Sequence, residues 1–173
     1  MTNFEWVLET ISKKHDRSRF DCGEPDLNNY LKKFARQNAQ SNISQTFVVV
    51  SPNDSKKILG FYSFNAGSIE FNTLPQDIYK RLPRYPIPIA RLSRLAVDKM
   101  AQGKGLGEWL VMDAFKRCVK ISKEIGIFGL VVDAKHERAK QFYLQYGFHE
   151  LTTQSLTLFI PTKTIVAMIA DSS

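Results

Sequence analysis

Three glycines and a lysine stand together in residues 102–107, which read Gln-Gly-Lys-Gly-Leu-Gly directly before a strongly helical segment. Glycine lets the backbone turn tightly and brings its N–H groups close to a ligand, because no Cβ obstructs the approach. The N–H groups of a first helical turn lack intrahelical acceptors, and the helix dipole adds partial positive charge there. The spacing therefore predicts a backbone cradle for a pyrophosphate.

Two familiar phosphate loops do not fit this spacing. The P-loop has a Ser or Thr directly after its Lys to hold magnesium, whereas Lys104 lies between two glycines. The dinucleotide fingerprint Gly-x-Gly-x-x-Gly has two residues before its last glycine, whereas one residue separates Gly105 from Gly107. The loop is therefore predicted to bind a pyrophosphate of another kind.

The elements around the loop must hold it in position. An apolar run at Ile87–Val97 predicts a strand that leads into the loop, and helical spacing predicts a helix from Gly105 to about residue 124. Ile127–Val132 is typical of a strand buried on both faces, and a helix is predicted at Glu137–Tyr146. The other predicted elements are a helix from Pro25 to about Gln40, strands at Thr46–Ser51, Ile58–Phe64, Phe148–Leu151 and Ser155–Ile160, and a short helix at Leu74–Leu82. The type of the tail from Pro161 stays open.

Two motifs in this order resemble the GNAT family of N-acetyltransferases. The loop resembles the family's Gln/Arg-x-x-Gly-x-Gly/Ala motif, which holds the pyrophosphate of acetyl-coenzyme A, and residues 91–98 before it resemble the family's coenzyme-contacting strand. Residues 133–148 resemble the signature Asn-x-x-Ala-x-x-Phe-Tyr-x-x-x-Gly-Phe, although His136 occupies the Asn position. An amphipathic helix ended by Gly147 would explain the aromatic residues alone, but not the order and spacing of both motifs. The matching residues of the second motif are Ala139, Phe142, Tyr143, Gly147 and Phe148.

The resemblance implies a fold and a ligand. It implies an α/β (α+β) fold as a single GNAT domain over residues 1–173, with a mixed, mostly antiparallel central sheet flanked by helices. Two central strands would splay apart to form a cleft for acetyl-CoA, the co-substrate, and no metal is expected. The residues that it assigns to acetyl-CoA binding are Leu95, Ala96, Val97, Gln102, Gly103, Lys104, Gly105, Leu106, Gly107, Asp133, His136 and Phe142.

The same resemblance implies direct attack of a neutral amine on the acetyl thioester. A backbone N–H near Leu95–Val97 would polarise the thioester carbonyl. Tyr143 is the candidate general acid for the leaving thiolate, with Tyr146 as a nearby competitor that we expect to pack. The general base stays open between Asp98, Asp133 and none, because an α-amine with a pKa of about 7.7–8.0 is already partly neutral in the cell.

The N-terminal segment extends the resemblance to a subgroup. Residues 19–31 resemble the F-x-C/S-G-x-x-x-L-x-x-x-L opening of the acetyltransferase toxins of toxin–antitoxin systems, and so does the predicted hairpin of Thr46–Val50 with Gly60–Ser63. These toxins acetylate the amino acid on charged tRNA, block translation and are neutralised by a ribbon-helix-helix antitoxin. The resemblance therefore implies an aminoacyl-tRNA acceptor and such an antitoxin partner, and we expect a cytoplasmic homodimer.

Composition agrees with an ordinary globular enzyme that carries excess positive charge. Lys and Arg number 24 against 17 acidic residues in a chain of 173, a net charge of +7 that suits a nucleic-acid partner or a solvated surface equally well. Cys22 and Cys118 predict reduced thiols and no disulfide. No signal peptide or membrane-spanning run is apparent, so we expect no membrane association.

Two other functions stay open on the sequence. One is a GNAT enzyme that acetylates a small amine or a protein N-terminus. The other is a non-catalytic acyl-CoA-binding regulatory module, since the Asn that His136 replaces normally helps to fix the coenzyme.

Overall fold

A computed structural model describes residues 5–151 and 154–172 of the chain. The strands in this part of the chain are β1 Val7–Thr10, β2 Gln45–Val50, β3 Gly60–Ile69, β4 Ile87–Val97, β5 Gly129–Asp133, β6 His149–Leu151 and β7 Gln154–Pro161. The helices are α1 Pro25–Lys33, α2 Ala35–Gln40, α3 Gln76–Tyr79, α4 Leu106–Ser122, α5 Glu137–Leu144 and α6 Thr162–Ser172, with 3₁₀ turns at Phe71–Thr73 and Lys99–Ala101.

The strands form one mixed sheet in the order β1-β2-β3-β4-β5-β7-β6. Strands β1 and β2, β2 and β3, β5 and β7, and β6 and β7 pair antiparallel, whereas β4 and β5 pair parallel. The parallel register runs from Ile89↔Gly129 to Leu92↔Val132, and β4 continues beyond it to Val97. The mixed, mostly antiparallel sheet with flanking helices is therefore confirmed.

Contacts divide the chain into two compact units. The N-terminal unit comprises Met1–Asn65 and Ser93–Asp113, and the C-terminal unit comprises Ala66–Leu92 and Ala114–Ser173. The assignment of residues 1–173 to a single domain stays a prediction.

In the N-terminal unit, α1 buries its apolar stripe against the sheet. Pro25 occupies the first turn of α1, as predicted, because its missing N–H is not needed there. The single helix predicted to about residue 40 is wrong, since α1 ends at Lys33 and α2 begins at Ala35, with a distorted φ of −119° at Phe34 between them. No glycine or proline marks this break. The core of the unit consists of Ile11, Phe20, Leu27, Tyr30, Leu31, Ala35, Val48, Ile58, Phe61 and Ala96.

In the C-terminal unit, β5 packs so closely against β7 that only glycine fits at its first residue. A Cβ on Gly129 would lie 2.4 Å from Cε2 of Phe159 and 2.6 Å from the carbonyl oxygen of Ile160. Elsewhere in this unit, the tail whose type the sequence left open begins as the end of β7 and continues as α6. The apolar core comprises Ile69, Leu74, Ile87, Ile89, Val131, Leu151 and Phe159.

Among the described residues, the longest apolar helix still falls short of what a membrane crossing requires.

Candidate active site

The glycine loop has the backbone geometry that its sequence predicts. Gly103 and Gly105 have φ values of +78° and +87°, in the left-handed region that favours glycine. A Cβ at either position would meet no atom within 4 Å, so backbone conformation rather than space selects glycine here. The loop leads into α4, whose first i→i+4 bond runs from the Trp109 N–H to the Gly105 carbonyl (3.1 Å). The N–H groups at the start of α4 therefore have no acceptor within the helix.

Asp98 anchors the loop at the end of β4. Its carboxylate is 4% exposed, and it accepts the N–H of Met100 at 3.0 Å and the N–H of Asp21 at 2.9 Å. The bond from Met100 caps the 3₁₀ turn that precedes the glycines. The bond from Asp21 connects the segment before α1 to the end of β4. Asp98, a candidate general base in the sequence, therefore has a structural role that occupies both of its oxygens.

The side chain of Gln102, the first residue of the loop motif, forms hydrogen bonds within the chain. Its Nε2 donates to the carbonyl oxygens of Val97 (2.9 Å) and Cys22 (3.1 Å). The Lys99 N–H donates to the Asp21 carbonyl (2.8 Å) beside it. The segment that resembles the toxin opening is thus hydrogen-bonded to the glycine loop and the turn before it, which the sequence did not indicate. Gln102 shapes the loop from within.

The end of β4 lies directly before the loop. Ala96 packs into the core of the N-terminal unit, and Leu95 and Val97 are half-buried. The Asp98 N–H donates to the Leu59 carbonyl at 2.8 Å, which keeps the strand end beside β3. The role of the Leu95–Val97 backbone toward a thioester stays a prediction.

Helix α5, in the C-terminal unit, is capped at its N-terminus by the residue that replaces the family's Asn. His136 has extended backbone geometry, and its Nδ1 accepts the Ala139 N–H at 3.1 Å. This is the hydrogen bond that an Asn at an N-cap makes. His136 therefore preserves the start of α5.

Tyr143 lies on the inner side of α5. It is 6% exposed, and its ring contacts Phe142 and Phe148 edge to face, with centroids 5.2 and 5.7 Å apart. Tyr146 lies beyond the end of the helix at Leu144 and packs its ring edge to face on Phe142 (5.2 Å), as expected for a packing residue. The aromatic contacts hold the Tyr143 ring in one orientation.

Asp133, the other candidate base, forms an ion pair with Arg91 and accepts the hydroxyl of Thr157 at 2.9 Å. The structure thus brings the predicted residues together in two sets. Asp133, His136, Phe142 and Tyr143 belong to the C-terminal unit. Residues 95–97 and 102–107 belong to the N-terminal unit.

Sequence reasoning missed Arg94 on β4. Its guanidinium carbon lies 3.7 Å from the centroid of the Tyr30 ring in α1. The two residues are 64 positions apart, so no local pattern could indicate the contact. Burial raises the pKa of the Tyr30 phenol, but hydrogen bonding with Ser44, Asn38 and other neighbours outweighs burial and leaves that pKa below its usual value.

The thiols carry no signal of reactivity. Cys118 is fully buried and Cys22 is half-buried, and both are free. Burial raises the pKa of each thiol above its usual range. A thiol with a raised pKa is a poor nucleophile, so both cysteines are structural residues. The described residues also hold no cluster of His, Cys, Asp or Glu that could bind a metal.

The sequence model of the acetyltransferase (GNAT) domain matches residues 43–150. The chain belongs to the GNAT family of acetyltransferases.

Individual relatives of the chain indicate a narrower group within the family. A tRNA-acetylating toxin of Mycobacterium tuberculosis is 37% identical over 161 residues, which cover 93% of this chain and 95% of that protein. A probable toxin, TacT, of Sinorhizobium fredii is 30% identical over 172 residues, covering 94% of each.

Solved structures agree over nearly the whole chain. A tyrosine-to-phenylalanine mutant of KacT superposes with a TM-score of 0.90 at 36% identity, covering 94% of this chain and 98% of that one. AtaT complexed with acetyl-methionyl-tRNAfMet superposes with a TM-score of 0.89 at 31% identity, covering 95% and 99%. AtaTR bound with acetyl-CoA gives a TM-score of 0.84 at 32% identity, covering 95% and 98%. The predicted fold and the resemblance to toxins of this kind are both confirmed.

Proposed function

We propose that this acetyltransferase transfers the acetyl group of acetyl-CoA to the α-amino group of aminoacyl-tRNA, and so acts as a toxin that inhibits translation. The observation that carries the proposal is the 37% identity, over 93% of the chain, to a protein named tRNA-acetylating toxin. The likeness to AtaT, solved with acetyl-methionyl-tRNAfMet, supports the same acceptor.

The residues of the loop fit the pyrophosphate of acetyl-CoA. Backbone N–H groups at the start of α4 follow two glycines in the left-handed region, the arrangement that suits an anion. Lys104, within the loop, adds a positive charge, and its Nζ donates to the Met100 carbonyl at 3.2 Å. We assign the loop residues 102–107 and the strand end at Leu95–Val97 to acetyl-CoA, with Asp133, His136 and Phe142 as further binding residues. A neighbour solved with acetyl-CoA supports acetyl-CoA as the ligand.

The reaction needs one proton donor and one polarising group from the protein. A backbone N–H at the end of β4 would polarise the thioester carbonyl while the amine attacks. Tyr143 would protonate the leaving thiolate, and the proton that the attacking nitrogen gives up as the amide forms would return to the Tyr143 phenolate through solvent, so that no net proton is consumed. No base is assigned, because Asp98 and Asp133 are both held in hydrogen bonds to the protein. The attacking α-amine is about half neutral or more near pH 8, so no protein base is needed to deprotonate it before attack.

The proposed partners are inferred from the charge of the chain and from the complexes of its relatives. The net charge of +7 suits a polyanionic acceptor. AtaT has been solved bound to the C-terminus of the antitoxin AtaR, and KacTA has been solved with DNA. We propose a cognate antitoxin of the ribbon-helix-helix type, a homodimeric state and a cytoplasmic location for this chain.

The direct test is acetylation of bulk charged tRNA. The purified protein is incubated with labelled acetyl-CoA and aminoacylated tRNA, and the ester is then hydrolysed so that mass spectrometry identifies the released amino acids. We expect N-acetylated amino acids, and none from deacylated tRNA. Label found only on polyamines or protein N-termini would establish the small-amine alternative instead. Tight acetyl-CoA binding in calorimetry, with no acceptor acetylated, would establish the non-catalytic alternative.

The role of Tyr143 is tested by Tyr143→Phe, with Tyr146→Phe as the matched control, because both tyrosine rings pack on Phe142. Loss of a general acid lowers kcat by about 10²–10⁴-fold. We expect this loss for Tyr143→Phe with nearly unchanged acetyl-CoA affinity, and less than about twofold loss for Tyr146→Phe. Wild-type turnover in Tyr143→Phe would exclude the phenol as the acid.

A further inference from the structure

Arg94 is a half-buried cation whose hydrogen-bonding groups are not used by the protein. A guanidinium has five N–H donors and no acceptor. Within residues 5–151 and 154–172, Arg94 forms no ion pair and donates no hydrogen bond, and its one specific contact is the face of the Tyr30 ring. Arg91, three residues earlier on β4, instead pairs with Asp133. The fold therefore holds a positive group in place with its donors unoccupied.

Tyr30 is a fixed support for this cation. The tyrosine is 5% exposed, and its ring stacks on Phe61 with centroids 6.5 Å apart. Its hydroxyl forms a 2.8 Å hydrogen bond with Ser44. A guanidinium that stacks on an aromatic face keeps its N–H edge available for a ligand. Tyr30 thus sets the position of Arg94 while leaving the donors at the edge of the guanidinium unoccupied.

Arg94 also stands next to the proposed reacting centre. It directly precedes Leu95, the first of the residues whose backbone we assign to the thioester. Successive side chains of a strand point to opposite faces, so Arg94 shares a face with Ala96, which packs in the same core as Tyr30. An acceptor whose amine reaches the thioester must pass within reach of this long side chain.

We propose that Arg94 binds a phosphodiester of the acceptor nucleic acid close to its aminoacylated end, and so determines specificity for tRNA over free amines. The inference rests on the proposed function and names a residue for it. A planar, permanently charged fork matches two phosphate oxygens and forms charge-assisted hydrogen bonds with both. Such bonds compensate a half-buried cation better than a neutral carbonyl does. The overall charge of +7 attracts RNA in general, whereas Arg94 contacts one particular phosphate.

The test compares Arg94→Ala, Arg94→Gln and Arg94→Lys with the wild-type protein. Lys56→Ala is the charge-matched control, because Lys56 is an exposed residue of the turn before β3. Loss of a charge-assisted contact lowers kcat/KM for aminoacyl-tRNA by about 10–100-fold in the Ala and Gln variants, and we expect it mainly in KM. The slope of log K for aminoacyl-tRNA binding against log salt falls by about 0.7–0.9, one phosphate contact. Arg94→Lys keeps the slope but recovers only part of the affinity, and Lys56→Ala retains both values.

A substrate without phosphate separates the possible contacts. On an amino-acid methyl ester, the Arg94→Gln loss is at least about fivefold smaller than on aminoacyl-tRNA, since no phosphate is present to lose. An equal loss on both substrates would show that Arg94 acts on the ester carbonyl or on folding, and would overturn the inference. An unchanged salt slope in a variant with a wild-type melting temperature would also overturn it. If the wild-type protein does not acetylate aminoacyl-tRNA at all, the proposed function itself fails.

Discussion

Replacing Asp98 by Asn tests whether this carboxylate holds the glycine loop in place or takes part in the chemistry. The two side chains are nearly the same size. Asp98 has two acceptor oxygens, and each receives a backbone N–H, from Met100 and from Asp21. Asn has one acceptor oxygen and turns an NH₂ group toward the other N–H. The substitution therefore breaks one hydrogen bond and brings two donors together in a buried site.

The size of the effect follows from this count. A hydrogen bond to a charged group contributes about 1.5–3 kcal/mol, and leaving a buried donor unsatisfied costs about 1–3 kcal/mol. Because these costs overlap, we expect the free energy of unfolding to fall by about 2–4 kcal/mol. For a chain of this length, that loss lowers the melting temperature by about 4–16 °C.

Two measurements on the same variant separate the roles. Thermal unfolding reports stability, and steady-state kinetics with acetyl-CoA report the loop. If the loop binds the pyrophosphate, as proposed, a loosened loop raises KM for acetyl-CoA more than it lowers kcat, because the pyrophosphate is remote from the reacting carbonyl. The control is Asp54→Asn. Asp54 lies in an exposed turn, and one of its two oxygens, Oδ1, accepts both the Lys56 and the Lys57 N–H groups. The one oxygen of Asn can therefore keep both bonds. We expect a change within about 0.5 kcal/mol.

One result would refute the structural role of Asp98. If Asp98→Asn melts at the wild-type temperature and loses kcat at unchanged KM, the carboxylate acts in the reaction as a base. If Asp54→Asn is destabilised as much as Asp98→Asn, burial does not explain the effect.

Three further substitutions probe single contacts. Gly129→Ala would press its Cβ on the Phe159 ring and the neighbouring backbone, so we expect about 3 kcal/mol or more of destabilisation in chemical denaturation, with Gly126→Ala, at an open position, as control. His136→Ala removes the α5 cap and costs about 1 kcal/mol, whereas His136→Asn restores it; equal melting temperatures would refute the cap. Asn65→Leu removes a buried Oδ1 that lacks a partner in the described residues, so its melting temperature should not fall.

The parts of the fold that were predictable from sequence depend on local pattern. Strand β4 has the predicted bounds, Ile87–Val97, because a long apolar run and a glycine turn define both its ends. The glycine loop was predictable for the same reason, since left-handed backbone favours glycine whatever surrounds it. Strand β1 was missed because Val7–Thr10 is four residues long, too short for a periodic signal.

The rest depends on contacts between distant residues. Asp98 accepts a hydrogen bond from a residue 77 positions away, and no sequence pattern links the two. The motif of the loop indicated a ligand for Gln102, whereas its side-chain amide is bonded to two backbone carbonyls. Tyr143 was identified by resemblance, and its burial among aromatic rings could not be derived from helical spacing alone.

At Gly103 and Gly105 the handedness of the backbone can be tested apart from the size of the side chain. Positive φ strains L-residues at these positions, although the Cβ of an L-residue would meet no atom within 4 Å. The mirror-image residue prefers positive φ, so D-alanine built into both positions by chemical synthesis would adopt the native φ without backbone strain. It would also restrict the unfolded chain, which by itself stabilises a folded protein by about 0.4–1 kcal/mol per replacement. The loop therefore depends on the handedness of its backbone at two positions.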